Sequence, residues 1–299
     1  MTAQQLSLGP LQYYWPRARI LDFYENAAQW PLDVIYLGET ICSRRHEMRP
    51  ADWLALAADL ASMGREIVLS SQVLLESEPD LKAMRRLADN GRFRVEANDM
   101  GAVRQLQNRV PFVAGATLNL FNGEALRLVW QLGAVRWVAP AELSSADLAF
   151  MQAARPAGMQ TEVLAYGRLA LAYSARCFTA RHFRLQKDVC EFRCRDFEEG
   201  IKVRTRDGAP FLVLNGTQTL SDQVNNLLGE LPQLGSLDID ILRISPQAHG
   251  TREIVHAFRA VIDGQRSARD AIAALRPGVT GSACNGFWHG QPGMAQVTP

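Results

Sequence analysis

Five cysteines are the residues of this 299-residue chain most able to do chemistry. Cys177, Cys190 and Cys194 fall in the run SARCFTARHFRLQKDVCEFRC, the last two separated by three residues. Cys42 stands far upstream in YLGETICSRR, and Cys284 lies near the end in SACNGFW. Thiolates ligate soft metals, and four of them suit a [4Fe–4S] cluster or tetrahedral zinc equally by ligand count. The three-residue gap matches neither a C-x2-C zinc knuckle nor the usual ferredoxin run. The spacing therefore points to a metal without choosing which, and packed, unliganded cysteines remain a third reading. Arg44 and Arg45 follow Cys42, while Arg176, Arg181, Arg184, Lys187, Arg193 and Arg195 surround the other three. Cationic neighbours lower thiol pKa values and offset the charge of a thiolate-ligated cluster. They also suit an anionic small molecule, or simply make a solvated face.

Carboxylates and one arginine at the ends of strand-like runs are candidates for a substrate or donor pocket. Glu39 follows the second run, Glu96 and Asp99 border the fourth, Glu142 follows the sixth, and Arg243 with Ser245 closes the last. The pocket set is Glu39, Glu142, Arg176 and Arg243, with the catalytic residue itself undetermined. The plainer reading of Glu39 and Glu142 is a loop or helix-start hydrogen bond to backbone. Glu96 can equally pair with an inner arginine, and Arg243 can hold a ligand carboxylate by a two-pronged contact or sit in a buried ion pair. His182, inside the cysteine run, is a candidate donor to a metal-bound sulfur. No G-x-S-x-G elbow and no HExxH helix is present, so proteolysis is not expected.

The elements that must position these residues alternate. Strand-like runs cover 6–12, 33–37, 67–71, 93–97, 112–115, 135–139, 162–166 and 239–244, and helical patterns at 51–63, 80–90, 100–108, 123–132, 145–154 and 252–263 lie between many of them. Trp53, Leu54, Leu56, Ala57 and Leu60 give one helix a one-sided apolar stripe. About eight such units predict a single α/β domain, a TIM-like (β/α)8 barrel whose post-strand loops converge at one face. No GxGxxG opens an early helix, which disfavours a dinucleotide-binding sheet. The rhythm breaks over about 168–210, read as a long cysteine-bearing insertion near the C-terminal face. An irregular tail is expected over about 277–299.

Hydrophobic residues at 47% and charged residues at 21% are those of an ordinary globular protein. A net charge of +1 supplies no global field for nucleic acid, so none is expected as a partner. The N-terminal run lacks the pattern of a signal peptide, and no apolar stretch approaches the ~18 residues of a membrane span. With an odd, scattered cysteine count, the expectation is a reducing, cytoplasmic setting.

The segments SLGPLQYYWP, DVIYLGETICSRR, LAYGRLALAYSARCFTARH, FLVLNGTQT, RISPQ and CNGFW together resemble the collagenase-like peptidase family, over essentially the whole chain. Within that family they resemble its ubiquinone-biosynthesis branch. The resemblance implies a TIM-like barrel and a [4Fe–4S] cluster on Cys42, Cys177, Cys190 and Cys194, with Cys284 matching a cysteine that is no ligand. It further implies a heterodimer with a homologous subunit, serving oxygen-independent hydroxylation of a ubiquinone precursor ring. Prephenate is the implied candidate hydroxyl donor, and a lipid-carrier protein is a possible holder of the precursor. The alternatives are an RNA-hydroxylating member of the same family and a non-catalytic scaffold stapled by zinc.

Overall fold

The computed structural model describes residues 4–275 and 282–298. Short β-branched runs form strands and amphipathic runs form helices, in regular alternation through the first half. The order is β1 (Gln5–Leu8), α1 (Arg17–Ala27), β2 (Val34–Leu37), α2 (Pro50–Ser62), β3 (Glu66–Ser70), α3 (Glu78–Ala88), β4 (Arg94–Ala97), α4 (Met100–Leu106), β5 (Phe112–Ala114), α5 (Gly123–Gln131), β6 (Ala134–Val138) and α6 (Ser145–Ala154). There follow β7 (Gln160–Tyr173), α7 (Phe178–His182), β8 (Ile201–Arg204), β9 (Pro210–Asn215), β10 (Gln218–Asn226), α8 (Leu231–Ser236), β11 (Ile241–Ile244), α9 (Thr251–Ile262), α10 (Ala268–Ala274) and β12 (Ala283–Cys284). Side-chain caps set several helix starts: Ser77 accepts from Asp80, Asn122 from Ala125, and Ser144 forms a reciprocal box with Asp147.

Strands β1 to β7 pair in sequence and in parallel, and β11 joins both β1 and β7, closing an eight-stranded barrel. This is the expected TIM-like (β/α)8 fold. Residues alternate across each strand. Ile35 and Leu37 join the main core beneath the helices, while Val34 and Tyr36 form a smaller cluster with Val68, Val113 and Val138. The barrel interior also carries charge. Arg136 donates to Tyr36 Oη at 3.0 Å and to Glu66 at 3.0–3.1 Å. Glu162 accepts from Ser7 at 2.6 Å and from Arg243 Nε at 2.7 Å. These buried charges are tolerable because each faces an opposite one.

The stretch expected to be irregular over 168–210 differs from that expectation. Strand β7 does not stop at residue 166 but runs on to Tyr173, where it pairs antiparallel with β10; β9 and β8 complete a small sheet attached to the barrel. Gly167, which looks like a stop in the sequence, has φ +142°, and a Cβ there would meet Ser245 Cβ at 2.4 Å. It is the point where the strand passes close over β11's end, and only glycine fits. Strand β8 escapes notice because Lys202 and Arg204 leave one face exposed and polar. The irregular part shrinks to the segment between β7 and β8, which holds α7 and two 3₁₀ turns.

Of the expected irregular tail, residues 277–281 and 299 lie outside the described residues. Between them β12 pairs parallel with β10, aligning Cys284 with Asn225. Among the described residues, no helix is long and apolar enough to cross a membrane.

Candidate functional site

The loop after β2 presents the first cysteine. Gly38 passes so close to β3 that a Cβ would meet the Ser70 carbonyl oxygen at 2.5 Å. Glu39 then accepts the backbone N–H groups of Ile41 at 2.9 Å and Cys42 at 3.1 Å, and its carboxylate lies 3.6 Å from Arg45. Glu39 is thus a brace for the cysteine loop, the plainer of its two sequence readings.

The β9–β10 hairpin ties the late cysteines to this loop. Thr217 Oγ1 donates to the Ile41 carbonyl at 2.7 Å, and the Gly216 carbonyl accepts from Phe178 at 2.7 Å, next to Cys177. Cys177 opens α7, its sulfur accepting the Ala180 N–H at 3.4 Å. Cys190 and Cys194 sit on the two 3₁₀ turns that follow. Two ion pairs latch this segment across the barrel loops, Arg44 to Asp188 at 3.1 Å and Lys187 to Glu76 at 2.6 Å.

As a result Cys42, Cys177, Cys190 and Cys194 line one small cavity of ≈ 20 Å³, together with Arg44, Arg45, Lys187 and Arg193. Among the described residues, no three Cys, His, Asp or Glu side chains converge at the spacing of a single metal ion. The thiols surround a space and do not meet at a point. Burial pushes Cys42 up to about 11 although Arg45 opposes it, and burial likewise raises Cys194. The arginines thus soften but do not cancel the cost of desolvating a thiolate, contrary to the expectation of lowered thiol pKa values. Cys284 stands apart, wholly buried on β12. His182 lies outside this cavity, edge-on to Phe183 at 4.9 Å.

A larger cavity of ≈ 640 Å³ opens at the barrel mouth. Its walls are the segments just past the strand ends, including Thr40, Val73, Asn98, Ala116, Ala139 and Ser245, with the β7 extension on one side. Of the four residues read as a pocket set, Glu142 and Arg243 line it; Glu39 and Arg176 do not, and Arg176 is exposed. Arg243 is held by Glu96 at 2.8 Å and Glu162 at 2.7 Å, with its guanidinium 4.1 Å from the Tyr36 ring centre. Its Nη2 is buried and has no acceptor. Arg243 is therefore both a buried ion-pair member and a donor still open to a ligand. Asp99 serves chiefly to cap α4, accepting from Gly101 at 2.6 Å.

A buried polar chain joins the two cavities. Tyr173, in the wall of the large one, accepts from Gln218 Nε2 at 3.0 Å. Gln218 Oε1 accepts from Asn215 at 3.1 Å, and Asn215 Oδ1 accepts from Arg45 at 2.8 Å. Gln218 is 0% exposed and Asn215 2%. Arg168 also lines the large cavity, donating to the Ser221 carbonyl at 3.1 Å. Sequence reasoning missed Arg168, Tyr173 and Gln218, which lie on strands that periodicity did not reveal. Tyr13, Tyr14 and Trp15 are packing residues: Tyr13 donates to Gln247 at 3.1 Å, and Tyr14 packs on Phe192 at 6.1 Å.

The sequence model of peptidase family U32 matches residues 21–298. The chain belongs to this family. The solved U32 peptidase Mk0906 aligns with 83% of this chain and 95% of its own at 12% identity, with a TM-score of 0.47. A candidate dihydrodipicolinate synthetase from Pseudomonas aeruginosa covers 91% of this chain and 80% of its own at 8% identity, TM-score 0.51. A rubisco-like protein from Alicyclobacillus acidocaldarius covers 90% and 65% at 14% identity, TM-score 0.51. The last two likenesses show the barrel fold alone. In this U32 chain His289 pairs with Glu230 at 3.1 Å and His249 lies 3.5 Å from Glu198.

Proposed function

We propose that this U32 chain is the [4Fe–4S]-bearing subunit of an oxygen-independent hydroxylase acting on the ubiquinone precursor ring, similar to the ubiquinone biosynthesis protein UbiV. It would work as a heterodimer with a homologous UbiU-like chain, and prephenate is the candidate donor. The observation that carries this reading is the gathering of Cys42, Cys177, Cys190 and Cys194 around one cation-lined cavity, from sequence positions far apart.

The chemistry of the donor set fits the group. A tetrahedral zinc ion, with Zn–S near ~2.3 Å, needs its thiolates packed around one point. Four thiols are the donor set of a cluster or of zinc, and the cavity of ≈ 20 Å³ has room for about one water-sized sphere, so a cluster would be seated by movement of the cysteine loops. Each lining cation also has a carboxylate partner, Arg44 with Asp188, Arg45 with Glu39, Lys187 with Glu76 and Arg193 with Asp196, so the offset to thiolate charge falls mainly to Arg45, which also bonds Cys194. When bound, such a cluster supplies one-electron chemistry or a Lewis-acidic iron. Arg45 would hold Cys194 by hydrogen bond and charge while remaining fixed by Asn215 and the Gln12 carbonyl. In the larger cavity Arg243 Nη2 would hold a ligand oxygen, and Glu142 stands near enough to the mouth to accept a proton from a phenol. The hydrogen bonds from Tyr173 through Gln218 and Asn215 to Arg45 would keep the two sites in fixed register.

Anaerobic purification with metal analysis tests the first step. The expected outcome is about four irons per chain with a broad visible absorbance. Zinc as the sole metal would instead mark a structural staple. Deletion of the gene followed by anaerobic quinone profiling tests the second; unchanged ubiquinone beside a lost RNA hydroxyl would move the chain to the RNA-modifying branch.

A further inference from the structure

Arg45 is the buried cation of the cysteine cavity. Its side chain is 1% exposed, against 34% for Arg44, 23% for Lys187 and 40% for Arg193, the other cations in the cavity wall. Those three reach water, as do their carboxylate partners, so solvent screens what they contribute. A charge shut away from water is screened far less.

The protein fixes this guanidinium from several sides. Nη1 donates to the Gln12 carbonyl at 2.7 Å and lies 3.6 Å from Glu39, and Nη2 donates to Asn215 Oδ1 at 2.8 Å. The Tyr14 ring centre is 5.4 Å from its central carbon, and Tyr14 packs on Phe192 of the cavity wall. Gly216, in the same wall, makes room for it, since a Cβ there would meet Nη2 at 2.9 Å. The side chain is thus held against the cavity, where it bonds Cys194 and acts by charge on Cys42. Through Asn215 and Gln218 it is also tied to Tyr173 in the wall of the barrel cavity.

Reduction adds an electron to a group that four thiolates have already made negative. A fixed positive charge, and an N–H donated to a ligating sulfur, stabilise the reduced form more than the oxidised one and so raise the potential. We propose that Arg45 is a positioning residue that acts through Cys194 to set the reduction potential of the group held by the four cysteines, keeping it higher than the exposed cations could. The inference rests on the reading above, in which that group is a [4Fe–4S] cluster. The residue that tunes the electron site is then held in place by side chains of the barrel mouth.

The test uses the full-length protein with its cluster rebuilt anaerobically from iron and sulfide. Midpoint potential is read by titration with dithionite, which supplies the electron, and iron content is measured alongside. Arg45→Gln removes the charge and should lower the potential by about 59 mV or more, a tenfold change in the ratio of oxidised to reduced protein for a one-electron couple. Arg45→Lys keeps a charge for Glu39 but gives up the planar fork, and should fall between the wild type and Arg45→Gln. Arg44→Gln, at an exposed cation of the same cavity, should change the ratio by less than twofold. A merely structural Arg45 would lower iron content and leave the potential of the remaining cluster where it was. That result overturns the proposal, as does loss of the cluster from both Arg45 variants or an equal shift in Arg44→Gln. A wild type that holds zinc alone has no couple to titrate and removes the cluster reading together with this inference; iron with an unmoved potential overturns the inference alone.

Discussion

Arg243 shows how one side chain serves two ends. Its Nε and Nη1 are spent on Glu162 and Glu96, and its Nη2 is buried without an acceptor. That orientation depends on Glu162 remaining ionised. Burial pushes the Glu162 carboxyl up, but Arg243 and Arg136 pull it down further, and the net direction is downward. The sign of the linkage follows. A carboxyl depressed in the folded state contributes stability that is complete above its unfolded pKa of about 4.3 and is lost as pH falls through the lower folded value. Glu162→Gln leaves two buried arginines short of an anion and should cost about 3 kcal/mol at pH 7. Urea unfolding should show the gap to wild type narrowing once pH drops below about 4. A gap that stays constant from pH 7 to pH 3 would mean that Glu162 is not the ionised partner of Arg243.

The β7 extension is the element that converts a plain barrel into one with a walled mouth. It brings Arg168 and Tyr173 to the large cavity and, through the β9–β10 hairpin, fixes the late cysteines beside Cys42. Its departure from the barrel turns on Gly167. Gly167→Ala meets both a positive φ and a Cβ–Cβ approach of 2.4 Å to Ser245, so a loss of roughly 2 kcal/mol or more is expected. Adding Ser245→Gly should recover the part due to the clash and leave the part due to φ; thermal unfolding of the single and double variants separates the two. Much of the surrounding barrel was legible beforehand. The runs at 33–37 and 67–71 are mostly apolar and largely buried, and they read directly as strands, while 93–97 does so despite Arg94 and Glu96. The extension was not legible, because Gly167 resembles a terminator and β8 mixes buried Ile201 with exposed Lys202 and Arg204. The cysteines announced themselves by type and spacing, whereas the link from Tyr173 to Arg45 joins residues whose partners only the hairpin brings together.

At the scale of the molecule, the cysteine site and the barrel are built separately. The barrel closes by its own parallel ladder, and none of its eight strands carries Cys42, Cys177, Cys190 or Cys194. Those residues belong to loops whose native partners are the surface ion pairs of Arg44 and Lys187 and the hydrogen bonds of the hairpin. Exposed pairs of this kind contribute about 0–1 kcal/mol each. A bound metal would therefore be the main restraint on the segment between β7 and β8, and a minor one on the barrel. Cys190→Ser, or removal of metal by a chelator, should leave far-UV circular dichroism and the main thermal transition almost unchanged, within a few degrees. The same treatment should speed proteolysis between residues 174 and 200 by tenfold or more, since local opening there no longer competes with ligation. The cut should fall near the two 3₁₀ turns, and restoring iron and sulfide to the chelated protein, but not to Cys190→Ser, should restore protection. If metal loss instead unfolds the whole chain in one step, the barrel and the cysteine segment form a single cooperative unit. The separation drawn from the strand ladder would then be wrong.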